Sequence, residues 1–461
     1  TASEIGCCDW SSDVSLPIFQ GVGMDLLKDN VGKLYRKFFI ASFGSALIAC
    51  IYGLVDMAMV GQYHGPDGSA AMAVIAPIWN IIYSFGLLCG IGGSVIYAVA
   101  RGERDDVKEA NGYFTSAFIL GVSWALILWV LVWVCEEPLL RLFGANDALM
   151  PLCKEYMVAP KLTVPVYVFI NLLSSFLRND GDPGRATKAV IFGGIFNVFG
   201  DYFFVFTLDM GIKGAGIATA MGASMSVLVM LTHFISKKNT LKFVKPLRIL
   251  NSFKMISVNG FSSFIVDVAM GIATMLFNRR VMEYLGTDAL AVYGVIVVVG
   301  TLVQCCSYGI GQAAQPVISR NFGAGLTDRI KTMLKYNIIT AAVFGAIWTV
   351  LSMAMPQVFI KLFMTPTPEV LSIAPGIIRI YAISFILLPF NIYSTYYFQA
   401  IMRAKISLIA SVARGIVISG ALILLLPVAF GGNAVWWAMP ITEAVVFVYS
   451  AVMMKKVKLS R

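Results

Sequence analysis

Charged side chains are scarce in this sequence. Asp, Glu, Lys and Arg make up 13% of its 461 residues, about half of what a soluble domain carries. Histidine is rarer still, with two residues, His64 and His233, too few for a histidine metal cluster. The eight cysteines form no CxxC pair, and no GxxxxGK[ST] phosphate loop occurs, which excludes direct ATP coupling within this chain. The glycine runs "GIGG" and "GAGIATA" resemble dinucleotide loops, but they lie inside apolar stretches, where glycine serves close helix approach. What the chain has in abundance is apolar surface. Hydrophobic residues reach 58% and the mean hydropathy is +0.80. Apolar runs of about 20 residues, the length that crosses a bilayer as a helix, recur from end to end. Ten-residue alternating segments, the mark of a membrane barrel, are missing. The chain therefore reads as an all-α polytopic membrane protein.

Spans are predicted near 38–62, 70–99, 111–134, 155–177, 186–208, 212–235, 252–282, 289–319, 332–355, 371–400, 405–428 and 433–454. The net charge of +10 then belongs to helix ends facing the cytoplasm rather than to nucleic acid. The connections on the side of the termini carry 26 of the 35 Lys and Arg residues, the opposite connections seven, and Arg379 and Arg414 fall within spans. That asymmetry places both termini in the cytoplasm; the expected location is a plasma membrane of the bacterial cytoplasmic kind. Cys50, Cys89, Cys135, Cys153, Cys305 and Cys306 lie in or beside apolar runs and read as small buried hydrophobes. Cys7 and Cys8 belong to residues 1–23, "TASEIGCCDWSSDVSLPIFQGVG", which have neither a basic start nor an apolar core and read as a non-native leader or disordered stretch.

The two halves resemble each other. "CGIGGSVIYAVARGERD" (89–105) parallels "YGIGQAAQPVISRNFGAG" (308–325), "PLLRLFGANDAL" (138–149) parallels "VFIKLFMTPTPEVL" (358–371), and "GAGIATA" (214–220) parallels "NAVWWAM" (433–439). Six spans per repeat give the halves one orientation, the parallel-repeat plan of a secondary transporter with its cavity between two six-helix bundles. The expected division is a bundle over 24–236, a basic cytoplasmic linker over 237–254 and a second bundle over 255–461.

Ionisable groups inside such spans cost at least about 2.5–3.5 kcal/mol and are functional by default. Asp56, in "IYGLVDMAMVG", and Asp201, in "FNVFGDYFFVF", are the leading candidates. Asn197 precedes Asp201 by four residues, so an amide and a carboxylate share one helical face. Buried among apolar side chains, this pair can hold a proton or bind a hard cation through oxygen. Asp267 reads either as functional or as one half of a bridge to Arg414, and Glu443 as a packing or snorkelling residue near a helix end. Met57, Met59, Phe196 and Phe204 read as lining for a promiscuous cavity or as ordinary core. Nothing in the sequence points to an enzyme.

In "LVDMAMVGQY", "GIGGSVIYAVARG", "FLRNDGDPGRA", "FNVFGD", "MGIKGAGIATA", "GIGQAAQPVISRNFGAG" and "YYFQAIMRAK", taken in order across some 430 residues, the chain resembles the multidrug and toxic compound extrusion (MATE) family, in its DinF-like branch. The resemblance implies a Na+- or H+-driven antiporter that exports amphipathic, often cationic small molecules. It implies no cofactor beyond the coupling ion, and the bilayer and the small-molecule substrate as partners of a monomer. It also implies a cation or proton site of Asp56, Asn197, Asp201 and Thr219, the last on the sixth helix. Asp267 matches a position where the family often has an acid. The helix over 371–400 lacks the acid of the NorM-like branch, and Ala41-Ser42 stand where many members have a proline in the first helix. A flippase for a lipid-linked or glycan-type substrate is the alternative within the same superfamily.

Overall fold

The computed structural model describes residues 25–103, 107–246, 248–363, 366–457 and 459; the expectation for residues 1–23 lies outside them. Among the described residues eleven helical runs are long and apolar enough to cross a membrane. One of them, Ile249–Gly323, is 75 residues long and broken at Gly286, which makes twelve spans. They are α1 (Val31–Gly65), α2 (Ala70–Glu103), α3 (Val107–Val134), α4 (Met150–Asn179), α5 (Pro183–Thr207), α6 (Gly211–Ile235), α7 (249–286), α8 (287–323), α9 (Thr327–Ala354), α10 (Pro368–Ala400), α11 (Ala404–Phe430) and α12 (Gly432–Lys456). Two short helices, Glu136–Leu142 and Pro356–Phe363, precede α4 and α10, as the matched segments "PLLRLFGANDAL" and "VFIKLFMTPTPEVL" require. No strand occurs among the described residues.

Helix is the backbone's only economical choice here, since hydrocarbon offers no partner for an unpaired N–H or C=O. The breaks are correspondingly specific. Gly65 (φ 65°, ψ −148°) ends α1 and Gly286 (φ 79°, ψ −169°) ends α7, an offset of 221 that repeats the internal homology. This backbone region is accessible almost only to glycine. Gly286→Ala is therefore expected to cost about 1–3 kcal/mol and to lower the thermal unfolding midpoint in detergent; an unchanged midpoint would remove the strained break. α1 itself runs from Val31 to Gly65 without interruption, in keeping with the missing proline.

α1 to α6 and α7 to α12 each follow the repeat, and the two sets meet through α1, α2, α7 and α8. The meeting is close. A Cβ on Gly102 would lie 2.1 Å from the Arg320 carbonyl oxygen, and one on Gly323 would lie 2.0 Å from that of Val99, a reciprocal pair about the repeat axis. A Cβ on Gly309 would lie 2.7 Å from the Phe43 Cα. Tyr35 stacks on Tyr336 with centroids 5.6 Å apart, and the Asn321 amide donates to the Leu26 carbonyl at 3.0 Å. All of these contacts lie toward the end of the bundle where α1 begins and α12 ends, where the two sets are closed against each other.

The connection between the sets, irregular from Ser236 to Pro246, is strapped to the first one. The Thr240 and Val244 amides donate to Asp180 (2.9 Å) and Thr115 (3.0 Å), and the Lys242 amide donates to Asn111 (3.0 Å). His233, at the end of α6, is fully buried between Asp180 (2.7 Å) and Asp182 (3.3 Å). Burial alone would push the Asp182 carboxyl up, but hydrogen bonding to His233 and the charges of Lys238 and Arg185 hold it at about 2. The other histidine, His64, accepts the Ile212 amide at 3.0 Å and so caps the start of α6.

Candidate functional site

Asn197 and Asp201 project from the last regular turns of α5, which gives way to a π-helical segment, Tyr202–Thr207, directly after Asp201. Up to that point the four-residue spacing keeps both on one face, as the sequence implied. The face is turned inward. Asn197 is 4% and Asp201 0% exposed. A Cβ on Gly222 of α6 would lie 2.9 Å from the Asn197 Cβ, so the missing side chain on α6 is what lets Asn197 reach the helix interface.

Thr219, also on α6, lies one turn from Gly222 and faces α1. Its Oγ1 is 3.5 Å from Oδ2 of Asp56, which is 7% exposed, and 2.9 Å from the Ala215 carbonyl oxygen, to which it donates. Asp56 lies near enough to Asp201 to act on its carboxyl electrostatically. The sequence-predicted set is thus assembled at the junction of α1, α5 and α6. Two members of its surround were missed. Tyr156 of α4 donates to Thr219 Oγ1 at 3.2 Å, and Tyr167 donates to the Thr219 carbonyl oxygen at 3.3 Å. Nothing in the sequence singles them out from the other tyrosines of these spans.

The site's oxygens are poorly satisfied. Asp56 Oδ1, Asn197 Oδ1 and both carboxyl oxygens of Asp201 are buried and accept no hydrogen bond among the described residues. Buried acceptors are nearly always partnered in folded proteins. Two ionised carboxylates buried within reach of each other's charge are doubly unfavourable. Unpartnered oxygens on two helices, with the Thr219 hydroxyl on a third, are the set a hard monovalent cation takes, and a carboxyl can equally take a proton. Among the described residues no group of three or more His, Cys, Asp or Glu side chains could hold a metal ion, so a dedicated transition-metal centre is not what this arrangement offers.

The second set of helices corrects two expectations. Arg414 does not pair with Asp267. Its Nε donates to Oε1 of Glu443 at 2.8 Å. Glu443 is 0% exposed, so it neither snorkels nor sits at an end; its Oε2 and main-chain oxygen both take the Asn391 amide, at 2.6 and 2.9 Å. The reason is local geometry: α11 winds through a π segment over Ala413–Val417, which turns Arg414 toward α12. Asp267 instead accepts from Tyr308 at 2.7 Å and lies 3.4 Å from Ser84 Oγ of α2, bonded by both sets of helices. Arg414 and Asp267 do line one small cavity with Tyr308, Asn391 and Tyr396. A neighbouring one, of about 80 Å³, is walled by Met270, Phe277, Tyr293, Gln304, Tyr381 and Arg414 among others. Met57, Met59, Phe196 and Phe204 line neither of these. Met57 is 42% exposed beside Asp56, and Met59, Phe196 and Phe204 are half-buried, with the Phe204 backbone close against Gly214.

Comparison with known proteins agrees with this architecture. The MatE family profile matches residues 41–203 and 260–423, two matches whose starts are offset by 219 residues, like the internal repeat. The chain is 24% identical over 426 residues to "Multidrug export protein MepA" of Staphylococcus haemolyticus, covering 91% of this chain and 92% of that protein. It is 22% identical over 425 residues to the protein of the same name from Staphylococcus aureus strain MSSA476, with 90% and 92% covered. Among solved structures, one described as the outward-facing conformation of a multidrug resistance MATE family transporter of the MOP superfamily superposes with a TM-score of 0.85 at 22% identity, over 94% of this chain and 98% of that one. A MOP superfamily transporter from Pyrococcus furiosus superposes with a TM-score of 0.84 at 22% identity, over the same shares. With both halves of the chain matched, this is a membrane transporter of the MatE family.

Proposed function

We propose that the chain is a secondary antiporter that exports small amphipathic, often cationic organic compounds against entry of Na+ or H+. The coupling ion is taken up at Asp56, Asn197, Asp201 and Thr219. The observation that carries the reading is the group of buried acceptor oxygens at the junction of α1, α5 and α6 that accept no hydrogen bond. Relatives named for multidrug export support the cargo class.

In this reading the Thr219 hydroxyl keeps its proton on the Ala215 carbonyl oxygen and turns a lone pair toward the ion. The Asp56 and Asp201 carboxylates supply charge, and the Asn197 carbonyl supplies a neutral ligand. A proton on one carboxyl does the same electrostatic work. Occupancy removes the repulsion between the two acids, which lets α1 draw onto α5 and α6. Two arrangements of the bundle thus differ in affinity for the ion, as a coupled transporter requires. Both termini face the cytoplasm in this orientation, from the 26-to-seven distribution of basic residues. The flippase alternative loses its main support, because Arg414, the basic residue that would meet an anionic cargo, is engaged by Glu443.

Dye efflux from proteoliposomes under a Na+ gradient and a pH gradient, imposed separately, tests the reading. One gradient drives efflux if it is right, and efflux indifferent to both refutes it. The same assay ranks the acids. Asp56→Asn should abolish driven efflux, whereas Asp267→Asn should impair it less, because Asp267 is already bonded by Tyr308. The reverse order would move the coupling site to the second set of helices.

A further inference from the structure

Arg329 stands in the first turn of α9, where a cation meets the unfavourable end of the helix dipole. Oxygens drawn from both sets of helices compensate it. Its Nη2 donates to the main-chain oxygens of Leu26, at 3.1 Å, and Asp29, at 2.7 Å, and its Nε donates to the Asn321 side-chain oxygen at 2.8 Å. Leu26 and Asp29 belong to the turn that leads into α1. That turn is built locally: the Leu27 amide donates to the Asp25 carboxylate at 2.9 Å and the Asp29 amide to the Asp25 carbonyl oxygen at 3.0 Å. Asn30 then caps α1 by accepting the Gly32 amide at 2.9 Å. The apolar side chains of this stretch are buried in the second set, since Leu26, Val31, Leu34 and Phe38 share one core cluster with Phe322, Ile330 and Met333. The start of α1 is thus seated on the corner between α8 and α9.

We infer that Arg329 is the latch of the closed end: it ties the start of α1 to the second set, must let go before the two sets part there, and so sets the balance between the closed arrangement and one open at that end. The chemistry suits a reversible tie. The three acceptors are neutral oxygens, which water can replace at modest net cost when the contact opens. A planar fork of N–H groups reaches all three at once, as a lysine cannot. The neighbouring Lys331 takes no part, pairing with Asp328 at 3.4 Å on the surface. Asp56 lies about 37 Å beyond Val31 along α1, at 1.5 Å per residue, so Arg329 touches neither ion nor cavity and acts as a positioning residue. Loosening the latch nonetheless weakens ion binding. The ion site is assembled in the closed arrangement, and apparent affinity falls with the population of the competent state.

The loss of ion affinity rests on the exporter reading; the latch does not, and two readouts separate them. Val95 of α2 is fully buried and lies in the same core cluster as the second-set residues, so Val95→Cys serves as a reporter of opening. Its labelling by a water-soluble maleimide is followed on purified protein, with mass mapping to distinguish it from the native thiols. In that background Arg329→Ala should raise the labelling rate about tenfold or more, the weight of one hydrogen bond to a charged group. Arg329→Lys should fall between, and Lys331→Ala should leave the rate unchanged. Without the reporter, Arg329→Ala should weaken equilibrium uptake of the coupling ion by a similar factor, with every oxygen of the ion site intact. Arg329→Gln, which keeps one donor group, supplies both readouts if the alanine variant does not fold. A thiol at position 95 that stays shielded in the Arg329 variants, or that Lys331→Ala exposes equally, would overturn the inference. Faster labelling with unaltered ion uptake would uphold the latch and count against the exporter reading.

Discussion

Asp201→Asn should abolish ion-driven efflux while leaving the protein as stable as before, or more stable. The substitution keeps the shape of the side chain and removes its charge. Both Asp201 oxygens are buried and accept no hydrogen bond among the described residues, so the folded structure gains nothing from the ionised group and loses nothing with it. The Asp56 carboxyl acts on it electrostatically as well, and relief of that repulsion favours the fold. Function should move the other way. Truncating one charged partner of a buried interaction costs about 2–5 kcal/mol, which corresponds to a fall of about one and a half to three and a half orders of magnitude in ion affinity. Asn197→Ala removes one neutral ligand and should weaken coupling without abolishing it. The measurement is gradient-driven dye efflux alongside the thermal midpoint. A variant that loses both together is merely misfolded, and one that keeps both removes Asp201 from the ion site.

The second large effect belongs to the other half of the molecule and concerns stability. Arg414→Leu leaves Glu443 charged and fully buried, with the Asn391 amide as its remaining partner. Removing one member of a buried ion pair typically costs about 3–5 kcal/mol. The double variant Arg414→Leu/Glu443→Gln should recover most of that loss. It removes the stranded charge and keeps an acceptor for Asn391, which also retains the main-chain oxygen at residue 443. Thermal midpoints of the two single variants and the double variant form the cycle. Additive losses would show that the pair is not an interacting unit.

The Arg414–Glu443 pair also marks where reading the sequence stops. Twelve spans, two repeats and the polar face of α5 were legible because hydrophobic length, internal similarity and a four-residue spacing are properties of the chain alone. Asn197 and Asp201 remain aligned since α5 is regular until Asp201 and changes to π winding only afterwards. Arg414 lies inside such winding, so its direction cannot be carried forward from the apolar pattern, and the bridge to Asp267 that composition suggests does not form. Asp267 finds its partners on α2 and α8, a matter of how two sets of helices dock. Tyr156 and Tyr167 were hidden for a different reason: tyrosines are common in these spans, and only the hydrogen bonds to Thr219 distinguish these two. The glycines at 65 and 286 were present in the sequence, but their shared role emerges only from the shared backbone geometry.

The central claim is that the oxygens of Asp56, Asn197, Asp201 and Thr219 take up the coupling ion. The most direct measurement is equilibrium binding on purified protein, with radioactive Na+ uptake and proton release followed in parallel for the wild type, Asp201→Asn and Asp267→Asn. The account predicts that the wild type and Asp267→Asn bind one of the two ions, and that Asp201→Asn, folded by its thermal midpoint, binds neither. Undiminished ion uptake by Asp201→Asn, or its loss in Asp267→Asn alone, would contradict the account.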